Sequence, residues 1–318
     1  MFVEYFKITG FSMAQIFILG AIGYFLSRKN ILGQEGVGSL SRLVVDVTLP
    51  LMIFCQLIQE FSFSRYGGWW LFPLLSIAIT AAGFLAASLF LGLIKGAQHK
   101  RQFLSLIAFQ NSGYLPLALI ASLLPRGQAD QMFIYLFLFL VGFNLLIWSL
   151  GVHMLSCAHI KKFELGSLFS PPVIAALASL LLVSLGLNRV IPDFIIRPLK
   201  TIGGCTLPLA MLVVGGNLAQ ARLTHIDKKA VSLILLIKLI ILPALGLWLV
   251  LKLRLPHLVG LLILIQLAVP SATNLSVITA HYKREDLFIS QGVFLSHVLS
   301  LVTIPVFLSL YFTLGMIK

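Results

Sequence analysis

The sequence predicts an all-α membrane protein of ten transmembrane helices arranged as two inverted five-helix repeats. Three features predict it: an apolar content that no water-exposed surface tolerates, punctuation that cuts the chain into bilayer-length pieces, and two internal matches five spans apart. The 318 residues are 59% hydrophobic and only 10% charged, so lipid is the solvent for most of the chain. The net charge of +13 is scattered in short groups between long apolar runs. That is the pattern of charged loops beside a bilayer, and no nucleic-acid partner is expected. Cys55, Cys157 and Cys205 stand far apart with no CxxC and no His/Cys ligand spacing, so no metal and no cofactor are expected. The first apolar run lacks an Ala-x-Ala-like cleavage site and reads as a retained helix.

A bilayer core needs about 20 apolar residues per helix. Cut at its charged and Pro/Gly-rich punctuation, the chain yields spans at 8–27, 43–59, 69–94, 103–124, 131–154, 172–188, 201–219, 230–251, 258–281 and 287–314. The connecting segments are short, so any chemistry belongs inside the bundle. With an outside N-terminus, thirteen basic residues, among them Arg42, Lys100, Arg101, Lys161, Lys162 and Lys228, fall on the inside. Nine fall outside, and Lys238 lies within a span. The bias favours both termini outside, in an integral membrane protein.

The repeat is read from two matches. Thr48-Leu49-Pro50-Leu51 in the second span returns as Thr206-Leu207-Pro208-Leu209 in the seventh. Five spans is an odd number, so the second copy enters the membrane from the opposite side, dividing the chain into repeats at 1–157 and 158–318. The fourth and ninth spans each carry a polar, helix-breaking centre: Gln110-Asn111-Ser112-Gly113-Tyr114-Leu115-Pro116 and Pro270-Ser271-Ala272-Thr273-Asn274. Proline deprives the carbonyl four residues back of its donor, here Ser112 by Pro116 and Gln266 by Pro270. Freed backbone groups in hydrocarbon cost several kcal/mol each, roughly, unless a partner satisfies them, so such breaks belong beside a polar cavity. Half-helix N-termini aimed at that cavity favour an anion. Pro50, Pro208, Pro243 and Pro305 read equally well as packing kinks.

These residues carry a family likeness. Pro270-Ser271-Ala272-Thr273-Asn274 with Ala280-His281-Tyr282, followed by Ser296-His297-Val298-Leu299-Ser300 through Pro305, resembles the C-terminal signature of the auxin efflux carrier family. Gly20 through Tyr24, Leu40-Ser41-Arg42-Leu43 and Thr48-Leu49-Pro50 resemble its first two helices, and Ser170 through Ala175 with Leu207 through Met211 and Gly215 its sixth and seventh. One departure stands out: Asn111-Ser112-Gly113 fits the family's fourth helix, but Pro116 occupies the place of a second glycine and Ala118 that of the proline. The resemblance implies a sodium/proton-antiporter-like fold with crossing broken helices 4 and 9. It also implies a scaffold of spans 1, 2, 6 and 7, a mobile transport domain of spans 3–5 and 8–10, a homodimer through the scaffold, and elevator-type alternating access. Its members are usually described as carriers of small carboxylates, auxin-like or dicarboxylic, and the compact loops here resemble those of its bacterial members, which implies the bacterial inner membrane.

The candidate substrate-binding residues are therefore Asn111, Ser112, Gly113, Pro116, Pro270, Ser271 and Asn274, with Asn274 the approximate counterpart of Asn111. Asp46 lies one turn before Pro50 and serves either as a coupling group or as the i+4 partner of Arg42. Lys238 either compensates charge within the bundle or snorkels to the inner surface. His281 and His297 read as structural. The function expected is secondary transport of a small organic anion across the lipid bilayer. The alternatives are a sodium-coupled bile-acid-type symporter and, further off, an intramembrane enzyme or a channel. An enzyme is disfavoured because HExxH, GxSxG and a second mid-membrane acid beside Asp46 are all missing from the sequence.

Overall fold

The computed structural model describes residues 1–156, 169–281 and 287–315. The expected repeat boundary at 157/158 and the basic residues Lys161, Lys162, Lys283, Arg284 and Lys318 lie outside the described residues. The rest is helical, and seven helices are long and apolar enough to cross a membrane. These are α1 (Phe2–Arg28), α2 (Gln34–Glu60), α3 (Leu71–Ser88), α6 (Arg126–Leu155), α8 (Asp193–Ala219), α9 (Lys228–Leu253) and α12 (Leu287–Gly315). Between them run the shorter α4 (Ala97–Ala108), α5 (Tyr114–Leu123), α7 (Pro171–Ser184), α10 (His257–Ala268) and α11 (Asn274–His281). Phe11, Leu85 and Phe194 are 71%, 70% and 74% exposed, as lipid-facing side chains should be and as water-facing ones rarely are.

Three helices contain a π-turn: Val44–Thr48 in α2, Ile147–Gly151 in α6 and Ile237–Ile241 in α9. The first and last have a common local cause. Pro50 and Pro243 cannot donate, and just ahead of each the N–H of Leu49 reaches back to Val44 and that of Leu242 to Ile237, five residues instead of four. The wider turn changes the phase of the side chains across it. Arg42 and Asp46 thus lose the i, i+4 register expected of them, and no ion pair joins them among the described residues.

Glycines let helix backbones approach. A Cβ on Gly215 would lie 1.8 Å from the Gly20 carbonyl, and one on Gly23 2.2 Å from that of Leu212, so α1 and α8 meet main chain to main chain. Gly203 does the same for α8 against Met52 of α2. Elsewhere Gly83 admits Ala108, joining α3 to α4, and Gly142 admits Pro73, joining α6 to α3. Gly246, Gly260 and Gly292 take side chains of Leu267, Val250 and Leu106. Every one of these closest approaches stays within one of two helix groups, α1, α2 and α8 or α3 to α6 with α9 to α12.

Candidate functional site

The breaks fall at residues 109–113, between α4 and α5, and 269–273, between α10 and α11. There the two chains cross as an antiparallel pair centred on Gln110 and Ser271. The Asn111 N–H donates to the Pro270 carbonyl at 2.8 Å and the Ala272 N–H to the Phe109 carbonyl at 2.9 Å. Each helix thus lends the other the donors its own broken turn no longer uses. Gln110 and Ser271 are thus a non-hydrogen-bonded pair flanked by these two bonds, and strand alternation sends their side chains to one face and those of Asn111 and Ala272 to the other.

The break precedes Pro116 instead of centring on it. Pro116 sits in the first turn of α5, where a missing N–H costs little because those donors have no intrahelical partner. The Ser112 carbonyl, which Pro116 leaves free, accepts from the Gln266 amide at 3.1 Å. In this antiparallel pair Asn111 stands opposite Pro270, and the two-fold relation through Gln110 and Ser271 makes Ala272 the counterpart of Asn111 and Asn274 that of Gly113. Asn274 therefore opens α11 in the position that Gly113 holds ahead of α5.

Asn111 is 5% exposed, and its amide nitrogen lies 3.2 Å from His297 Nε2 on α12. His297 Nδ1 lies 2.8 Å from the Val293 carbonyl and must donate to it. Nε2 is then the acceptor and Asn111 the donor. This leaves the Asn111 carbonyl oxygen and one amide proton uncommitted. Ser271 is tied more tightly: its hydroxyl donates to the Leu106 carbonyl at 2.6 Å and its N–H to Ser296 Oγ at 3.3 Å.

A cavity of about 190 Å³ opens against the Asn111 face. Asn111, Ser112, Gly113 and Asn274 line it together with Arg42 and Asp46 of α2. The first turns of α5 and α11 present their free N–H ends here, through Gly113, Tyr114, Thr273 and Asn274. Trp148 of α6 and Ser170, just ahead of α7, line it as well. Pro116, Pro270 and Ser271 are not in the lining. Lys238 is not in it either: it is 1% exposed within its π-turn and makes no hydrogen bond or ion pair with the described residues. Three participants escaped the sequence reading: Trp148, Tyr114 and the role of His297 as partner to Asn111. Only Tyr114 lay within a segment singled out as broken.

Fold and crossing together define an integral membrane protein with an internal polar site between two interrupted helices. A profile of the family described as membrane transport protein matches residues 10–159 and 156–308. The chain belongs to this family, the auxin efflux carrier family. Among relatives, the protein PIN-LIKES 1 of Arabidopsis thaliana is 22% identical over 310 residues, 77% of this chain and 65% of its own length. PIN-LIKES 6 of the same plant is 28% identical over 133 residues, 39% of this chain and 31% of its own. An uncharacterized transporter of Methanothermobacter thermautotrophicus is 24% identical over 301 residues, 92% of this chain and 95% of its own. The chain thus spans less than two thirds of the two plant proteins.

Proposed function

We propose that this transporter carries a small organic anion, a mono- or dicarboxylate, by alternating access at the crossing of its two broken helices. The observation that carries the reading is the cavity at Asn111, where two half-helix N-termini meet an amide that keeps its oxygen and one proton free beside its bond to His297. Free N–H groups and the positive ends of α5 and α11 suit a carboxylate. In this reading α4 with α5 forms the fourth crossing and α10 with α11 the ninth, which gives ten crossings in two inverted halves, 1–157 and 158–318. Asp46 and Arg42 line the same cavity, where Arg42 attracts the anion and Asp46 is the coupling group. Lys238, remote from the cavity, is a charge within the mobile body and not a substrate ligand.

The glycine contacts support an elevator. Backbone contacts at glycines join α1, α2 and α8 in one body and α3, α4 and α6 in another, to which Gly292 packs α12 through the Leu106 side chain while Gly246 and Gly260 pack α9 and α10 together, and polar side chains bridge the two bodies. Gln56 of α2 donates to Asp130 of α6 at 3.2 Å, and Gln291 of α12 donates to the Thr224 carbonyl beyond α8 at 2.7 Å. Such contacts exchange for water or new partners more readily than interlocked backbones. With α7 added to the first body, that body is the scaffold through which two copies pair as a homodimer. Both termini lie outside, in the plasma or inner membrane; cysteine labelling at Lys100 from the inside and at Arg65 from the outside tests this orientation.

Counterflow in proteoliposomes decides the function. Vesicles loaded with unlabelled carboxylate should accumulate the labelled compound transiently against its gradient. A channel gives only downhill equilibration, and that result would overturn the carrier reading.

A further inference from the structure

Three helix ends meet around a second cavity, away from the crossing: α9 stops at Leu253, α10 starts at His257 and α12 stops at Gly315. Its volume is about 410 Å³, and Arg254, Leu255, His257 and Tyr311 are among its lining residues. The floor is firmly built. Tyr311 is 3% exposed, its hydroxyl donates to the His257 carbonyl at 2.7 Å, and its ring stacks on the His257 ring at 5.3 Å. Gly260 makes room for it, since a Cβ there would lie 2.9 Å from that hydroxyl.

Charge in this cavity has one sign. Arg254 is exposed and makes no hydrogen bond or ion pair with the described residues. Its backbone is left-handed, at φ 49°, a conformation that favours glycine and that an arginine holds at a cost. No Asp or Glu occurs in residues 228–281 or 287–315, and Glu4 in the first turn of α1 is not in the lining. An arginine kept in a strained turn, with no acid to pair among the described residues, is available to an anion from outside the chain.

The neighbouring surface indicates the source of that anion. On α9, Leu245, Leu249 and Leu253 form a stripe at i, i+4 and i+8, all three exposed, with exposed Trp248 beside them. Lys252 lies 4.6 Å over the Trp248 ring. Open leucines, then a tryptophan with a lysine, then an arginine past the helix end follow the order met on passing from hydrocarbon to headgroups. A soluble anion has no use for the leucine stripe.

We propose that the cavity at the ends of α9, α10 and α12 binds the phosphate of an anionic glycerophospholipid, with Arg254 as counter-charge and the acyl chains along Leu245, Leu249 and Leu253. With both termini outside, this lipid belongs to the outer leaflet. The site is separate from the carboxylate cavity, and its occupancy does not depend on the carrier reading.

The test uses the purified full-length protein in a nonionic detergent. Its melting temperature is titrated with dioleoylphosphatidylglycerol, with zwitterionic dioleoylphosphatidylcholine and with glycerol 3-phosphate. A native-state ligand raises the melting temperature in a saturable way, and phosphatidylglycerol should do so at a lower concentration than either of the others. Arg254→Gly suits the left-handed turn and keeps the fold, yet it should raise the half-saturating concentration of phosphatidylglycerol by about fivefold or more. Arg65→Ala removes a cation that the cavity does not contain and should leave that concentration unchanged. Should Arg254→Gly fail to fold, Arg254→Asn, which also tolerates this backbone, takes its place. Equal responses to the two lipids, or a response unchanged by the Arg254 substitution, would mean that lipid acts elsewhere, and the proposal falls. Saturation by glycerol 3-phosphate as readily as by phosphatidylglycerol would make this a site for a soluble phosphate and overturn the lipid reading.

Discussion

Asn111→Ala separates the two roles that the Asn111 amide can hold. In the protein the amide donates to His297 Nε2 at 3.2 Å, while the Asn111 main chain donates to Pro270 at 2.8 Å and survives the substitution. His297 is 1% exposed, so removing the amide leaves a buried acceptor without a donor, a loss of about 1–3 kcal/mol in stability. If the remaining amide proton also donates to a substrate carboxylate, binding loses a charge-assisted hydrogen bond of similar size. That corresponds to roughly a 5- to 150-fold rise in Kd. Both quantities come from one preparation, melting temperature by thermal unfolding in detergent and Kd by titration calorimetry with the carboxylate that shows counterflow. His297→Ala supplies the reference, because it breaks the same hydrogen bond and leaves the Asn111 amide in place. It should lower stability with a smaller effect on Kd. A destabilised Asn111→Ala protein with unchanged Kd would refute the substrate role and leave Asn111 as a support for α12.

Two further outcomes follow from packing and from the contacts between the bodies. Gly215→Ala forces its Cβ from 1.8 Å to a tolerable distance from the Gly20 carbonyl, which parts α1 from α8. It should cost about 1–3 kcal/mol by thermal unfolding, whereas Gly10→Ala, with nothing within 4 Å, should leave melting unchanged; equal effects would mean that the glycine interlock does not matter. If the bodies slide, Gln56 and Asp130, now 3.2 Å apart at their polar atoms, must separate in each cycle. A short thiol-reactive cross-linker across Gln56→Cys and Asp130→Cys should then stop counterflow until it is cleaved, and full activity in the cross-linked protein would contradict an elevator.

Much of the bundle is legible in the sequence because lipid makes a simple demand. Each crossing needs a long apolar run, so α1, α3, α6, α9 and α12 appear at nearly their observed places from hydropathy alone. The broken centres are legible for the opposite reason, since Asn111, Ser112, Gly113 and Asn274 are too polar to lie at mid-span without a use. Their register is less so. Pro116 looks like the break, yet it falls where a helix tolerates proline, and the interruption begins at Phe109. The start of α2 at Gln34, ahead of the apolar run expected from 43, escapes a hydropathy reading because its first turns are polar.

What the sequence alone determined is the solvent, the helical class and the two places where helices must break, all consequences of local composition, and, through the motifs it shares, the family. The tertiary structure decided which groups those breaks satisfy. That Asn111 meets His297, 186 residues away, that Gln266 takes up the Ser112 carbonyl, and that Lys238 is kept from the cavity all depend on how distant helices pack. A side chain freed at a break pairs with whatever the fold brings within about 3 Å, and no local pattern in the chain encodes that neighbour.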